Sequence, residues 1–341
     1  MQQRNILLLT DYRGHFYESV RSRGANLDLE RMGMYFSDMG YNMKAMRFGE
    51  IRFSNDYRGF PVLYQSSEDP GLLYKDYIED ILLGLSIQGA RLIPDFPKFR
   101  AHHNKVFMEI LRSINGNVAV KGILSNNYGT YEDFAHDIEL QPEKLVMKPA
   151  GGARGCGVRR IAGHKAQLRY ARELSSSFNM IEWMKVFVNS IIRKNYSKKS
   201  LHRRKFIVQE FLSGLDGDYK VLVYGKKYYV LERKNRKNDF RASGSGNFSF
   251  PVSPPDELLN FASDIYASFH VPFISMDIAK FENRYVLLEF QFISFGNYTL
   301  ERSEFYFTRK GGSGWEKVEE IPDLEREFVS SVVRYLDSAP I

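Results

Sequence analysis

The sequence predicts an α/β (α+β) chain: a parallel α/β part first, then two α+β parts. Three observations predict it. Strand and helix signals alternate through the first third. Four glycines crowd into KLVMKPAGGARGCGVRRI, Lys144 to Ile161, between two apolar runs. The last part is rich in strand signals and ends in a helix. At 341 residues, 43% of them hydrophobic, the chain can bury a sizeable core in two or three subdomains.

NILLLT reads as a short buried strand. ANLDLERMGMYFSDMG reads as a helix with a glycine stop. NMKAMRF and PVLYQS read as strands. DPGLLYKDYIEDILLGLSIQG places Tyr74, Ile78, Ile81, Leu82 and Leu85 at helical spacing, and ARLIP is the next strand. From about Phe99, FRAHHNKVFMEILRSI reads as one helix and VAVKGIL as a strand. TYEDFAHDIEL begins with a Thr130-x-x-Asp133 cap, and LVMKP is the strand that leads into the glycines. After them come an apolar-faced helix (Ile181, Met184, Phe187, Val188, Ile191) and the strands FIVQEFL, YKVLVYG and KYYVLER. FASDIYASFH is a helix, ISMDIAKF and YVLLEFQF form a hairpin, and PDLEREFVSSVVRYL closes the chain as a helix.

A simple turn needs one or two glycines. Gly151, Gly152, Gly155 and Gly157 instead leave backbone almost bare of side chains, which suits amides that approach a ligand closely. Lys148 before the loop and Arg154 within it point to an anion. The loop lacks the Lys-Ser or Lys-Thr of a P-loop and precedes a strand, VRRIAG, rather than a helix. It therefore joins two strands of a hairpin, as a structural turn or as a flap over phosphates.

The hairpin SMDIAKFENRYVLLEFQF carries Asp277, Glu289 and Gln291. Glu289 and Gln291 share a face. With a three-residue loop, Glu282 to Arg284, Asp277 lies opposite Glu289, about 5 Å away at Cβ. Two carboxylates that close among apolar residues call for a cation between them, and oxygen-only ligands suit Mg²⁺. The alternative is that Glu289 pairs with a Lys or Arg. Upstream, Arg233 and Arg241 bracket a basic stretch that runs into Ser-Gly-Ser-Gly, Ser243 to Gly246. Arginine there suits phosphate or carboxylate oxygens, and the alternative is a solvated basic loop.

The formal charge is +7, and much of the excess sits in RKNYSKKSLHRRK, Arg193 to Lys205. That run is either a solvated loop or a patch for an anionic substrate or polymer. It is too unpatterned to serve one compact anion, so it is expected to be mobile without substrate and to close over an acidic acceptor. No recognition motif accompanies the charge, so no DNA partner is expected. The single cysteine, Cys156, excludes an internal disulfide and reads as a small residue packed in a tight loop. One Cys and seven scattered His give no thiolate or imidazole metal cluster. The start, MQQRNILLLT, reads as no signal peptide, and no apolar run reaches the roughly 18 residues of a spanning helix. The expectation is a soluble cytoplasmic protein, with a homodimer left open.

Taken in order, these elements resemble the ATP-grasp superfamily, over roughly Phe99 to Tyr298. Lys105 follows a helix start in HHNK, Lys148 ends a strand before a glycine flap, and VQEFL is similar to the segment that meets adenine. Arg233 and DFRASGSG resemble the R…DFRSN pattern of glutathione synthetases and glutamate-adding peptide ligases. Asp277 and EFQ resemble the D…ExN metal ligands. The resemblance implies an N-terminal domain, 1–98, before two ATP-grasp subdomains, 99–208 with the flap and 209–341 with the metal site, which enclose the nucleotide.

It further implies that Lys105 and Lys148 hold ATP phosphates under the backbone of Gly151, Gly152, Gly155 and Gly157. Glu210, Phe211 and Leu212 would meet the adenine, with the Glu210 side chain near its amine or the ribose. Asp277, Glu289 and Gln291 would hold two Mg²⁺ ions, or Mn²⁺ in their place. Arg233 and Arg241 would stabilise the transferred phosphoryl group. Two positions depart from the pattern: Gln291 stands for the usual Asn, and the Asn of DFRSN is Ser243 or has no counterpart.

The implied reaction is ATP-dependent ligation of a carboxylate to an amine through an acyl phosphate. The acceptor would be an amino acid, a peptide or a sugar acid. A phosphotransferase on the same scaffold, or a non-catalytic nucleotide- or polyanion-binding protein, are the alternatives. Arg13 and His15, after the first strand, are candidates to bind a substrate carboxylate or to be plain surface residues.

Overall fold

The structure is a computed structural model that describes residues 4–17, 26–152, 155–236, 246–311 and 314–338. The chain begins β1 (Arg4–Thr10), α1 (Leu29–Asp38), β2 (Tyr41–Arg47), β3 (Pro61–Tyr64), α2 (Leu73–Ile87), β4 (Arg91–Ile93) and α3 (Phe96–Ala101). It continues α4 (Lys105–Ile114), β5 (Ser125–Tyr128), α5 (Tyr131–His136), β6 (Lys144–Pro149), β7 (Arg159–Ala162), α6 (His164–Ser175) and α7 (Met180–Ile192). Then come β8 (Phe206–Glu210), β9 (Gly217–Tyr224), β10 (Lys227–Lys234), β11 (Phe248–Ser249) and α8 (Asp256–Phe269). The last elements are β12 (Phe273–Phe281), β13 (Arg284–Gln291), α9 (Tyr298–Glu301), β14 (Phe305–Arg309), β15 (Trp315–Glu319) and α10 (Leu324–Ser338). Two compact units result. Unit 1 joins Met1–His102, Asn115–Val120 and Leu215–Ile341; unit 2 joins His103–Ile114 and Lys121–Gly214.

Unit 1 holds two sheets. The alternation of the first third gives a parallel sheet in the order β2-β1-β3-β4. Asp28 starts α1 by accepting from the amides of Glu30 and Arg31, satisfying donors that the helix leaves unpaired. The second sheet is antiparallel, in the order β13-β12-β9-β10-β14-β15, with β11 beside β10. α10 buries Phe328, Val329 and Val332, and the Phe328 ring lies 4.8 Å from that of Phe273 on β12. Each such side chain contributes about 1.5–3 kcal/mol of burial.

Unit 2 is an antiparallel sheet, β5-β8-β6-β7, over a core that includes Tyr128, Phe134, Met147 and Phe206. As the sequence predicts, Thr130 caps α5 by accepting from the Asp133 amide at 3.1 Å. A buried relay ties α4 to β8: Gln209 Nε2 donates to Glu109 at 3.0 Å, and Arg112 Nε donates to the other Glu109 oxygen at 2.8 Å. Buried charge is tolerated when paired and hydrogen-bonded in this way.

Two expectations fail. The helix expected over 99–114 is two helices, α3 and α4, because His103 adopts a left-handed conformation at φ 51°. VAVKGIL is not a strand. The side chains of Asn115 and Asn117 accept from the amides of Asn117 and Ala119 at 2.8 and 2.9 Å, and these local bonds fold the segment into turns. The strand starts later, at Ser125. Among the described residues, no helix is long and apolar enough to cross a membrane.

Candidate functional site

In unit 2 the glycine loop joins β6 to β7, which pair antiparallel from Lys144↔Ala162 to Met147↔Arg159. The predicted hairpin is therefore formed. Lys148 is half-buried on β6, opposite Ile207 of β8. Lys105 opens α4, with its backbone amide on the Ala150 carbonyl and its Nζ on the Gly152 carbonyl, both at 2.8 Å. The structure thus brings Lys105 to the start of the glycine loop, across a long sequence gap.

The loop needs glycine in at least two places. Gly152 has φ 95° and Gly157 φ 68°, both left-handed. A Cβ on Gly157 would also lie 3.0 Å from Pro149 Cγ, while Tyr170 OH donates to the Gly157 carbonyl at 2.7 Å. Gly151 and Gly152 precede residues 153–154 and Gly155 follows them; Arg154 lies outside the described residues. Cys156 is exposed, in the turn 155–157, rather than packed in the loop.

Glu210 ends β8. Its amide donates to the Leu124 carbonyl at 3.0 Å, and its Oε1 accepts from the Leu124 amide at 3.1 Å. That carboxylate is thus already engaged with backbone. Phe211 lies under the Arg160 guanidinium, 5.2 Å from the ring centre, and Leu212 is buried.

In unit 1 the metal candidates lie on β12 and β13. Asp277 pairs directly with Glu289, and Ser275 with Gln291. The route to that register differs from the expected one. The turn has two residues, Glu282 and Asn283, so Phe281 pairs with Arg284. A β-bulge beyond Ile278↔Leu287 leaves Leu288 unmatched and restores the opposition of Asp277 and Glu289. Asp277, Glu289 and Gln291 therefore share one face of one hairpin and offer only oxygen, a donor set that fits Mg²⁺.

Two residues that the sequence reading missed complete this face. Asp218 and Lys220 lie two apart on β9, with Lys220 opposite Asp277 and Asp218 opposite Arg233 of β10. Arg233 holds Asp218 through Nε at 2.6 Å and Nη2 at 2.7 Å, and Nη2 also reaches Asp277 at 3.0 Å. Lys220 Nζ meets the other Asp277 oxygen at 3.2 Å. These two cations balance Asp277, so repulsion between carboxylates does not by itself require a metal there. Burial and the Asp277 charge push the Asp218 carboxyl above the ordinary carboxylate range. Burial opposes ionisation of Asp277 too, but Arg233 and Lys220 outweigh it and hold that carboxyl down. The signal for both residues was present as polar alternation in GDYKVLVY. Arg241, with Ser243, lies outside the described residues.

Beyond β1, Arg13 bonds Asp11 Oδ2 through Nε and Nη2 at 2.9 and 2.8 Å. The other Asp11 oxygen accepts from the amides of Arg13 and His15.

No protein-family model matches the chain, and no curated protein matches it by sequence. Solved structures do match. The chain is similar to D-cycloserine synthetase DcsG at 12% identity and a TM-score of 0.54, with 97% of this chain and 99% of that one covered. It is similar to N5-carboxyaminoimidazole synthetase from Staphylococcus aureus at 10% identity and a TM-score of 0.51, covering 98% of this chain and 80% of that one. Likeness at such identity speaks to the fold. It extends the resemblance from the motifs to almost the whole chain: the chain has the ATP-grasp fold.

Proposed function

We propose that the protein is an ATP-dependent ligase that joins a carboxylate to an amine. The observation that carries this reading is the single-faced oxygen set of Asp277, Glu289 and Gln291 on an ATP-grasp fold. Lys105 and Lys148 would hold ATP phosphates, with the amides of Gly151, Gly152, Gly155 and Gly157 over them. Glu210, Phe211 and Leu212 would meet the adenine, principally through backbone, since Glu210 Oε1 is held by Leu124.

Asp277, Glu289 and Gln291 would hold Mg²⁺, which neutralises phosphate charge when bound. Arg233, fixed by Asp218 and Asp277, and Arg241 would face the transferred phosphoryl group. The substrate carboxylate takes the γ-phosphoryl from ATP and ADP leaves. The amine then attacks the acyl phosphate, the amide bond forms and phosphate departs. The protein's part is positioning and charge neutralisation.

The test is an ADP-release screen of carboxylate and amine pairs with Mg-ATP. Release that needs both partners supports a ligase. Release with the carboxylate or a hydroxyl compound alone, leaving a stable phosphorylated product, replaces it with a phosphotransferase.

A further inference from the structure

Helix α7 is amphipathic in the reverse sense. Its half-buried positions are Glu182, Val186, Asn189 and Ser190, three of them polar, and Glu182 accepts a bond from Arg203. Its apolar side is turned outward. Trp183, Phe187 and Ile191 are 45%, 53% and 69% exposed, Ile181 and Met184 are exposed beside them, and no residue of the helix is buried. The rings of Trp183 and Phe187 stack at 5.7 Å on that side. A stripe of large apolar groups left in water marks a surface that something covers.

The segment after α7 says what covers it. Residues 193–205 carry seven Lys and Arg and no Asp or Glu, and Arg193, Lys194, Lys198 and Lys199 are exposed. A small acidic acceptor would answer the charge and leave the apolar side bare. A second copy packed helix to helix would cover the apolar side and bring no acidic residue from its own run to the basic one, since a two-fold contact sets the same patch against itself. A surface that is apolar inside and anionic at its rim answers both features. A helix of this length spans about 20 Å and can lie in the plane of a membrane, with Trp and Phe at headgroup depth and basic residues on the headgroups.

We infer that α7 and the run 193–205 dock unit 2 on an anionic phospholipid surface, without spanning it.

Flotation of the full chain tests this with vesicles of phosphatidylcholine alone and of phosphatidylcholine with about 30% phosphatidylglycerol. The chain should float with the anionic vesicles only, and less as salt rises. In a Trp315→Phe background, Trp183 fluorescence should shift to the blue on those vesicles. Lys194→Gln, Lys198→Gln and Lys199→Gln together should weaken partitioning roughly a hundredfold at low salt. Phe187→Glu should also abolish flotation while leaving Mg-ATP binding unchanged, which shows that the variant is folded. Three results overturn the inference: no flotation with either vesicle, equal flotation with both, or a dimer in solution that Phe187→Glu splits.

Discussion

Arg233 grips Asp218 with two parallel bonds and touches Asp277 with the same Nη2. One guanidinium thus serves two carboxylates from neighbouring strands, in a place where both are largely shielded from water. Removing it leaves two buried negative charges with Lys220 as their remaining described cation. Arg233→Ala should destabilise the protein by about 3–5 kcal/mol in urea unfolding. Arg233→Lys keeps the charge but loses the fork, and should fall between. An alanine variant as stable as the parent removes this pairing from the account of the fold.

Lys148→Ala should weaken Mg-ATP binding by about 1.5–3 kcal/mol, the worth of a hydrogen bond to a charged group. Calorimetry reads the change directly. Unaltered affinity takes Lys148 out of the nucleotide site.

Glu289→Ala should abolish ADP-forming turnover and leave the unfolding midpoint near that of the parent, because Glu289 is half-buried rather than in the core. Gln291→Ala should cost less, since it removes an amide and no charge. Full turnover of Glu289→Ala at ordinary Mg²⁺ ends the metal-site reading.

Asp323 links α1 to α10. It accepts from Tyr35 OH at 2.7 Å, pairs with Arg31, and accepts from the Arg326 amide at 3.2 Å at the start of α10. Burial would raise its carboxyl, but the bonds from Tyr35 and Arg326 and the charge of Arg31 outweigh that and hold it below its usual value. A depressed carboxyl contributes stability above its unfolded value, near pH 4, and loses it as pH falls through the folded value. Asp323→Asn should therefore lower stability by about 1 kcal/mol at neutral pH and flatten the decline below pH 4. Equal acid sensitivity of variant and parent would falsify the assignment.

The alternating first third was legible because β1, β3 and β4 are short apolar runs and β2 alternates apolar with polar residues, with helical periods or short turns between them. The glycine hairpin was legible because so bare a backbone between two apolar runs serves little besides a close approach. α6 was not, because its buried positions are Gln167, Tyr170, Ala171 and Ser175, and no apolar stripe announces them. β15 was missed for a related reason: WEKVE has no buried position and reads as polar chain. VAVKGIL misled because a β-branched apolar run outweighs, on paper, two asparagines that in three dimensions capture the backbone. In the candidate site, Glu289 and Gln291 came from strand periodicity alone. Asp218 and Lys220 showed only as polar alternation in GDYKVLVY, and joining them to the site needed the order of the sheet, which brings β9 beside β12.

The bulge at Leu288 makes the spacing of the two carboxylates a matter of parity. Residues 278–288 are odd in number, and an odd interval cannot close on an even turn without leaving one residue over. Leu288 is that remainder. Deleting it should yield a regular ladder with Asp277 still facing Glu289. Deleting Asn283 also leaves an even interval: a turn of Glu282 and Arg284 pairs Phe281 with Tyr285, matches Ile278 with Leu288 and again sets Asp277 opposite Glu289. Two chains of equal length would then share the acidic pair and differ in which residues make the turn.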